Sequence, residues 1–565
     1  MKNQWIINPK PEDNIVGKLM TEVNLPEPLA IILAQRGINT FELAKEFFRP
    51  NLSQLHDPFL MKNMDKAVER ILNAIQNEEK ILVYGDYDVD GTTAVALMYS
   101  FLTSVYENVS YYIPDRYSEG YGVSIQGIDY ANENGFSLII ALDCGIKANQ
   151  QVEYANERNI DFIICDHHLP GEEVPDACAV LDPKQNDCNY PFKELSGCGV
   201  GFKLAQALAG RLNVEEAKVF TFLDLLAVSI AADIVPITGE NRILAFYGLK
   251  ALRESPSPGL KGLLGESTDN IEISDIVFNV APKINATGRL EHASQSVELL
   301  ISKDEESILK IAKDISELNT QRKETDGSVT AEAIELIKSN QEEERFSTVV
   351  YSANWHKGVL GIVASRLIET YYRPTLVLTE GNQGEITGSA RSVKDFDIYE
   401  VIDECSDLLS RYGGHRFAAG LSMQKENFEV FKTRFEEIVK RKITAIQRVP
   451  SIEIDTEISL SEINPKFIRI LNQMKPFGPG NMAPLFLTKD LEGGNISAMG
   501  KTGDHLRFEV MDTNGQKFTA VAFGMGKHLE DFKYSRFDLV YSIRENHFRG
   551  NSYLQLNVQD ARFKD

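Results

Sequence analysis

The sequence predicts a multidomain α/β protein with a mostly parallel sheet, a second and smaller α/β domain, and a C-terminal antiparallel β-barrel. Three observations support this fold class. From Ile81 onward, short apolar runs are each followed by polar residues and a helical stretch, which is typical of parallel sheets covered by helices. A charged stretch without proline then fills residues 302–345. Short alternating segments separated by Gly and Asn follow Val449 and Pro450, and they predict a small barrel.

The length and composition are those of a globular protein with several domains. At 565 residues the chain is several times the size of one domain, and 43% hydrophobic with 25% charged residues excludes collagen-like, disordered and disulfide-framework classes. The six cysteines are scattered without a Cys-x-x-Cys pair, so we expect reduced thiols. No leader-like start or long apolar run occurs, so we expect a cytoplasmic protein without a membrane span.

Charge is unevenly distributed along the chain. The sequence has 59 Lys and Arg against 82 Asp and Glu, a net charge of −23, which by itself argues against a polyanionic partner. From Asn464 to the C-terminus, however, 14 basic residues stand against 11 acidic ones, so this stretch carries +3. A nucleic-acid site can therefore be a local basic groove on an acidic protein.

The first α/β domain is expected over residues 76–300, after an N-terminal extension over residues 1–75. Its apolar runs ILVY, LIIAL and FIIC each lead into an acidic or histidine-bearing loop. Val95, Met98 and Leu102 have helical spacing after the first loop. Because ligands bind beyond the carboxyl ends of parallel strands, we expect these loops to converge on one site.

Three further segments are expected after the first domain. A long helix over residues 301–346 is predicted by apolar residues that recur on one helix face from Ile308 to Leu318. It joins the first domain to a second α/β domain over residues 347–448. The OB-like barrel, expected to bind nucleic acid, covers residues 449–565.

Three carboxylates at alternate positions follow the first apolar run. Asp86, Asp88 and Asp90 lie in the sequence GDYDVDG, and like charges at a sheet edge repel each other unless a multivalent cation holds them. A solvated turn is the alternative. A fragment of a calcium-binding EF-hand is not favoured, because only apolar residues stand where that loop needs its final glutamate.

Later loops add candidate ligands to this triplet. Asp143 and the run Asp166-His167-His168 each follow an apolar strand, and Asp233 ends an apolar helical stretch. A lone Asp is more often a helix cap and a lone His a satisfied hydrogen-bonding group, but adjacent histidines beside an Asp triplet favour a metal site. Oxygen-rich ligation with imidazole suits Mn²⁺ or Mg²⁺ better than zinc.

In their order along the chain, these motifs resemble those of the DHH phosphoesterases. The resemblance continues in both α/β domains, over Arg116 with Glu119-Gly120-Tyr121-Gly122, Asn285-Ala286-Thr287-Gly288-Arg289, His356 to Arg366, Ser389-Ala390-Arg391-Ser392 and Gly413-Gly414-His415. The last three segments are similar to the DHHA1 domain. The whole arrangement, over about 490 residues, resembles the RecJ family of bacterial single-strand-specific exonucleases.

The resemblance implies two divalent ions, Mn²⁺ or Mg²⁺, and a set of phosphate contacts. One ion would be held by Asp86, Asp88 and Asp143, and the other by Asp90, Asp143, His167 and Asp233. Catalytic contacts to the scissile phosphate are implied for His168, Asn285 and Arg289. DNA phosphates would contact Arg116, Tyr121, Ser389, Arg391, Gly413, Gly414 and His415. The two glycines are equally compatible with a plain tight turn.

The function implied by this resemblance is a metal-dependent 5′-to-3′ exonuclease that hydrolyses single-stranded DNA to 5′-mononucleotides in recombination and repair. Exposed aromatic side chains, with Phe417, Phe508 and Phe523 as candidates, would stack on bases, although each is individually more often a core residue. One alternative is a DHH-family phosphodiesterase acting on oligoribonucleotides or cyclic dinucleotides, which the basic barrel disfavours. The other is a non-catalytic scaffold, which the intact acidic motifs disfavour.

Partners are implied by the resemblance alone. We expect single-stranded DNA as the substrate, and a single-stranded-DNA-binding protein and a RecQ-type helicase as possible protein partners of a monomer that does not bind membranes.

Overall fold

The N-terminal segment packs on the C-terminal domain. The computed structural model describes residues 3–265, 269–381, 384–548 and 551–564. The first elements are β1 (Gln4–Ile7), α1 (Asp13–Glu22), α2 (Glu27–Gln35) and α3 (Phe41–Phe48). Leu29 and Leu33 of α2 are fully buried in one apolar core with Phe467 and Phe486. About 440 residues of chain therefore separate the two halves of this core.

The first α/β domain is a parallel sheet with helices on both faces. Its sheet half contains α4 (Met64–Gln76), β2 (Lys80–Gly85), α5 (Val89–Thr103), β3 (Val109–Tyr112), α6 (Ile125–Glu133), β4 (Phe136–Leu142), α7 (Asn149–Asn156), β5 (Asp161–Cys165) and β6 (Ala179–Leu181). The five strands are all parallel, in the order β3-β2-β4-β5-β6. Ile81 and Val83 face one core while Leu82 and Tyr84 face another. Burial on both faces explains the uninterrupted apolar runs.

A helical half completes this domain. It contains α8 (Gly197–Leu212), α9 (Glu216–Phe220), α10 (Leu223–Ala232), α11 (Gly239–Glu254), α12 (Pro258–Leu264), α13 (Ile273–Asp275), α14 (Ala281–Leu290) and α15 (Ser294–Ile301). Helices α8 and α10 pack on α5, so the helix that follows the Asp triplet is enclosed by apolar neighbours.

One long helix, α16 (Glu305–Ser339), leads to the second domain. It begins where the Asp304 side chain accepts a hydrogen bond from the Ser307 N–H. Asp326 is fully buried near its middle and pairs with Arg322 at 2.8 Å and with Arg366 of the second domain at 2.5 Å. A buried carboxylate needs such partners, and this one ties α16 to the second domain.

The second α/β domain has a mixed sheet. Its elements are β7 (Thr348–Tyr351), α17 (Leu360–Tyr371), β8 (Thr375–Glu380), β9 (Ile386–Arg391), α18 (Ile398–Asp403), β10 (Arg411–His415), β11 (Ala418–Met423) and α19 (Phe428–Lys442). The strand order is β10-β11-β9-β8-β7, in which only β7 and β8 are parallel. Gly413 and Gly414 lie in the edge strand β10 and not in a plain tight turn, which was one of the two alternatives left open by the sequence.

The C-terminal domain is a closed five-stranded barrel with flanking elements. It contains β12 (Ser451–Ile454), β13 (Thr456–Glu457), α20 (Pro465–Gln473), β14 (Phe486–Met499), β15 (His505–Met511), β16 (Lys517–Ala522), α21 (Leu529–Tyr534), β17 (Phe537–Phe548) and β18 (Asn551–Phe563). Pairing of β14 with both β15 and β17 closes the barrel, and β12 pairs with β1. Both α/β sheets and the barrel confirm the predicted fold class, but the barrel is not wholly antiparallel, because β16 and β18 pair in parallel.

Phe508 points into this barrel. Its side chain is 1% exposed and packs against Phe532 and Phe537, so the suggestion that it contacts DNA is wrong. Strand β15 alternates buried and outward residues, and Phe508 falls on the inward side. Within the described ranges, no helix is long and apolar enough to cross a lipid bilayer.

Candidate metal centre and phosphate-binding groove

The carboxyl ends of β2, β4 and β5 bring the predicted metal ligands together. Asp86 follows β2, Asp143 follows β4 and His167 follows β5, while Asp233 caps the C-terminal end of α10. Strand β4 lies between β2 and β5 in the sheet, so the loops meet at one edge. This is the convergence expected for parallel strands.

His167 lies at the middle of the acidic cluster. Its Nε2 is 3.2 Å from Asp143 Oδ1, 3.5 Å from Asp233 Oδ2 and 3.8 Å from Asp90 Oδ2. Two sets of potential ligand atoms lie within 4.8 Å of one another, Asp143 with His167 and His168, and Asp90 with His167 and Asp233. His167 belongs to both sets, which makes the two candidate positions adjacent.

Several ligand atoms are buried without a hydrogen-bond partner in the part of the chain that the structure describes. The unpaired atoms are both carboxylate oxygens of Asp86, Oδ1 of Asp143 and both ring nitrogens of His167. Buried polar atoms are normally paired, and unpaired carboxylate oxygens beside an imidazole are the donor set that Mn²⁺ and Mg²⁺ take. These residues therefore fit a divalent cation.

The local electrostatics also favour a cation. Burial, with the nearby charge of Asp88, raises the pKa of Asp86 to about 8. Burial, with the charges of Asp90 and Asp88, raises the pKa of Asp233 to about 8. The pKa of Asp143 is also raised well above its ordinary value, by burial and by Asp90. A divalent ion would remove this mutual repulsion.

Asp90 is held in place by the helical half of the domain. Its carboxylate accepts hydrogen bonds from the N–H groups of Gly197 and Cys198 at the start of α8, at 2.7 and 2.9 Å, and from the Ser229 hydroxyl at 2.6 Å. A Cβ added to Gly197 would lie 2.5 Å from Asp143 Cβ. These supporting residues carry no motif that marks them in the sequence. Only the spacing of Ser229, one helical turn before Asp233, could have suggested one.

Asp88 and Asp166 each accept a hydrogen bond from a neighbouring group of the site. Asp88 caps α5 by accepting a hydrogen bond from the Gly91 N–H at 3.0 Å, and its pKa is raised by burial and by Asp90. Asp166 Oδ1 lies 2.7 Å from His168 Nδ1. Burial opposes ionisation of Asp166, but the bond to His168 lowers its pKa to about 2. The same contact outweighs burial and raises the pKa of His168 to about 9.

A groove of about 450 Å³ lies beside this centre, between the two α/β domains. Most of the predicted phosphate-binding residues line it: Arg116, Tyr121, Arg289, Ser389, Arg391, Gly413 and Gly414. Tyr121 connects the groove to the metal centre, because its hydroxyl lies 3.2 Å from His168 Nε2.

His415 lies at the end of β10, outside the lining of the groove, where its Nδ1 accepts a hydrogen bond from the Phe417 N–H. Asn285 is partly buried on α14, one helical turn before Arg289.

The groove is rich in arginines that form no ion pair with a carboxylate among the residues that the structure describes. Arg391 Nη1 donates to the Ser389 hydroxyl at 2.8 Å, Arg289 Nη1 donates to the Gly358 carbonyl at 2.8 Å, and Arg116 stacks 4.8 Å from the ring centre of Tyr87. Burial and the neighbouring Arg116 lower the pKa of Arg289 to about 10 and also lower that of Arg391. Clustered, partly desolvated guanidinium groups form a site for phosphate.

Three family models match consecutive parts of the chain. They are the DHH family N-terminal domain over residues 80–230, the DHHA1 domain over residues 346–441 and the RecJ OB domain over residues 454–560.

Relatives match nearly the whole chain. The single-stranded-DNA-specific exonuclease RecJ of Bacillus subtilis is 37% identical over 99% of this chain and 71% of its own length. RecJ of Escherichia coli K12 is 31% identical over 95% of this chain and 96% of its own. The crystal structure of Thermus thermophilus RecJ in complex with Mn²⁺ superposes with a TM-score of 0.84 at 26% identity, covering 100% of this chain and 80% of that one. The complex with Mg²⁺ gives a TM-score of 0.79 at 25% identity, with coverage of 100% and 79%.

Proposed function

The chain belongs to the RecJ family of single-stranded-DNA-specific exonucleases, and from this premise we propose that it degrades single strands from the 5′ end to 5′-mononucleotides in DNA recombination and repair. The observation that carries the proposal is the position of Tyr121, which lines the cationic groove and also contacts His168 of the metal centre. A strand whose phosphates lie in the groove would thereby present a phosphodiester to the centre.

Two divalent ions, Mn²⁺ or Mg²⁺, are proposed to bind the acidic cluster. One ion would be held by Asp86, Asp88 and Asp143. The other would be held by Asp90, Asp143, His167 and Asp233. The unpaired oxygens of Asp86 and Asp143 support the first set. The close approach of Asp90, His167 and Asp233 supports the second. Bound there, the ions would supply Lewis-acid polarisation of the phosphate and activation of water.

The residues around the ions would orient the substrate. Asp166 fixes the imidazole ring of His168 through their 2.7 Å contact, so that Nε2 points toward Tyr121 and the groove. Arg289, held by the Gly358 carbonyl, and Asn285 would donate to non-bridging oxygens, where negative charge grows in the transition state. His168 and Arg289 are thus each oriented by a partner within the protein.

Recognition of the strand end is proposed for the far side of the groove. Arg391 and Ser389 would bind the terminal phosphate, with Arg116 opposite them, because a terminal phosphate carries extra charge that a donor-rich pocket can detect. Gly413, Gly414 and His415 on β10 would contact the adjoining backbone.

Boundaries and partners are proposed on the family resemblance. The domain limits are those given from the sequence. We further propose that the protein is a cytoplasmic monomer. Its proposed protein partners are a single-stranded-DNA-binding protein and a RecQ-type helicase. Light scattering tests the monomer, and co-purification of the recombinant proteins tests each contact.

Digestion of end-labelled DNA tests the activity. We expect a 5′-phosphorylated single strand to be degraded with Mn²⁺ and not with EDTA, with mononucleotides released from the 5′ end first. Blunt duplex, RNA and a cyclic dinucleotide serve as competing substrates. Preferential hydrolysis of the cyclic dinucleotide, or release of nucleotides from the 3′ end first, would refute the proposal.

A further inference from the structure

Ile234, the residue after Asp233, has a backbone conformation that is unfavourable for its type. Its φ is +60°, and it follows Asp233, the capping residue of α10, which still has helical dihedrals. This position after a helix is usually glycine or asparagine, because the left-handed region brings a Cβ atom too close to the backbone. A β-branched residue there is a genuine outlier.

Packing does not compensate for this cost. The Ile234 side chain is 64% exposed, whereas Val235 and Ile237 on either side of Pro236 are buried. The loop is held independently by the Ile237 N–H, which donates to the Pro479 carbonyl at 2.6 Å. Glycine at position 234 would allow the same loop conformation at lower cost. Strain that returns no stability is typical of functional positions.

The position of Ile234 suggests what it contacts. The neighbouring Asp233 carboxylate lies 3.5 Å from His167 Nε2, so Ile234 lies at the rim of the acidic centre. A second apolar side chain, Leu169, is 70% exposed directly after His168 on another ligand-bearing loop. Two exposed aliphatic side chains beside a cluster of carboxylates match the uncharged part of a nucleotide and not its phosphate.

We propose that Ile234, with Leu169, packs against the nucleobase next to the scissile phosphate. The inference rests on the proposed function and extends it, since it assigns a base contact to a site otherwise built from phosphate-binding groups. An aliphatic contact with a base face is independent of sequence, as an exonuclease requires. It would hold the nucleotide while its phosphodiester lies at the metal centre.

Glycine and leucine variants of Ile234 test the contact in the full chain with Mn²⁺. Ile234→Gly relieves the backbone strain and removes the side chain, while Ile234→Leu keeps an aliphatic side chain without β-branching. Gln341, also at positive φ directly after the end of a helix and exposed, provides the matched control Gln341→Gly. Each protein is measured for its thermal midpoint and for cleavage of strands that carry one abasic nucleotide at the first, second or third position.

The expected pattern separates contact from strain. Both glycine variants should raise the thermal midpoint. Ile234→Gly should also raise KM for the intact strand by about tenfold and remove the wild-type preference for a base over an abasic residue at one of the three positions. Ile234→Leu and Gln341→Gly should keep that preference.

Two results would overturn the inference while leaving the exonuclease activity established. One is a wild-type preference that survives in Ile234→Gly, and the other is a lower thermal midpoint for that variant. If the wild type cleaves none of the single strands, the proposed function fails, and the base contact fails with it.

Discussion

Replacing Asp86 by Asn should stabilise the metal-free protein and weaken its response to Mn²⁺. Asp86 is fully buried, neither of its carboxylate oxygens has a hydrogen-bond partner among the described residues, and its pKa is raised from 3.8 to about 8. Between those pH values the folded state binds a proton that the unfolded state has lost. The free energy of unfolding therefore falls as pH rises through this window, by about 1.4 kcal/mol per pH unit for one such group.

The amide variant lacks this titrating group. Its free energy of unfolding in EDTA should decline less steeply than that of the wild type, and the difference should grow by about 3 kcal/mol between roughly pH 5 and 7. Urea unfolding in EDTA at about pH 5, 6 and 7 measures both slopes. Asp314→Asn, at an exposed position on α16, is the matched control and should follow the wild type.

Addition of Mn²⁺ completes the test. A cation that binds only the folded state stabilises it by about 2.7 kcal/mol at a hundred times its dissociation constant, and the wild type and Asp314→Asn should show this gain at pH 7. Asp86→Asn should show a smaller gain, because only the ligand set proposed for the second ion is then intact. Wild-type and Asp86→Asn stabilities that run parallel with pH in EDTA would refute the electrostatic account of the centre.

Three further predictions concern catalysis and DNA binding. Asp143→Ala should lower turnover by at least about 10³-fold, equivalent to about 4 kcal/mol. Its circular dichroism spectrum should be unchanged. Turnover above a few per cent of the wild-type value would contradict the role of Asp143 as a shared ligand. Arg391→Ala should slow degradation of 5′-phosphorylated strands more than that of 5′-hydroxyl strands, and Arg391→Lys should restore only part of the difference because it lacks the bidentate fork; equal losses would identify Arg391 as a general backbone contact. Phe417→Ala, at a half-exposed ring beside the groove-lining residue Ala418, should weaken single-strand binding by about 1–3 kcal/mol, measured by fluorescence anisotropy, whereas Val430→Ala on α19 should bind like the wild type.

The local features of the metal centre could be predicted from the sequence because three of the ligands, Asp86, Asp143 and His167, follow three different buried strands. The apolar runs before Asp86, Asp143 and His167 are long enough to mark strands buried on both faces, and parallel pairing then brings their ends together. The resemblance to a family added the phosphate-binding residues and their order. Neither step required knowledge of how the domains pack.

Features that depend on long-range packing could not be predicted. Phe508 and Phe523 both come from alternating segments of the sequence. Phe508 lies on the inward side of β15 and is buried, whereas Phe523 lies in the turn after β16 and is 58% exposed. Where a strand ends and which of its sides faces the core depend on strand pairing. Gly413 and Gly414 are equally compatible with a turn and with a strand, and pairing with β11 places them in β10. The contact of Arg289 with the Gly358 carbonyl exists only once the second domain is docked.

The barrel and the metal centre are less separable than the sequence suggests. Removing residues 449–565 would expose the apolar face of α2, since Leu29 and Leu33 share a core with the barrel. It would also remove four backbone carbonyls, those of residues 473–476, that accept hydrogen bonds from the buried Arg242 of the first domain. The Pro479 carbonyl, which holds the loop after Asp233, would be lost as well. A truncated protein that loses activity would therefore not distinguish a missing DNA track from a displaced metal ligand, so the contribution of the barrel to DNA binding has to be measured by substitutions on its surface.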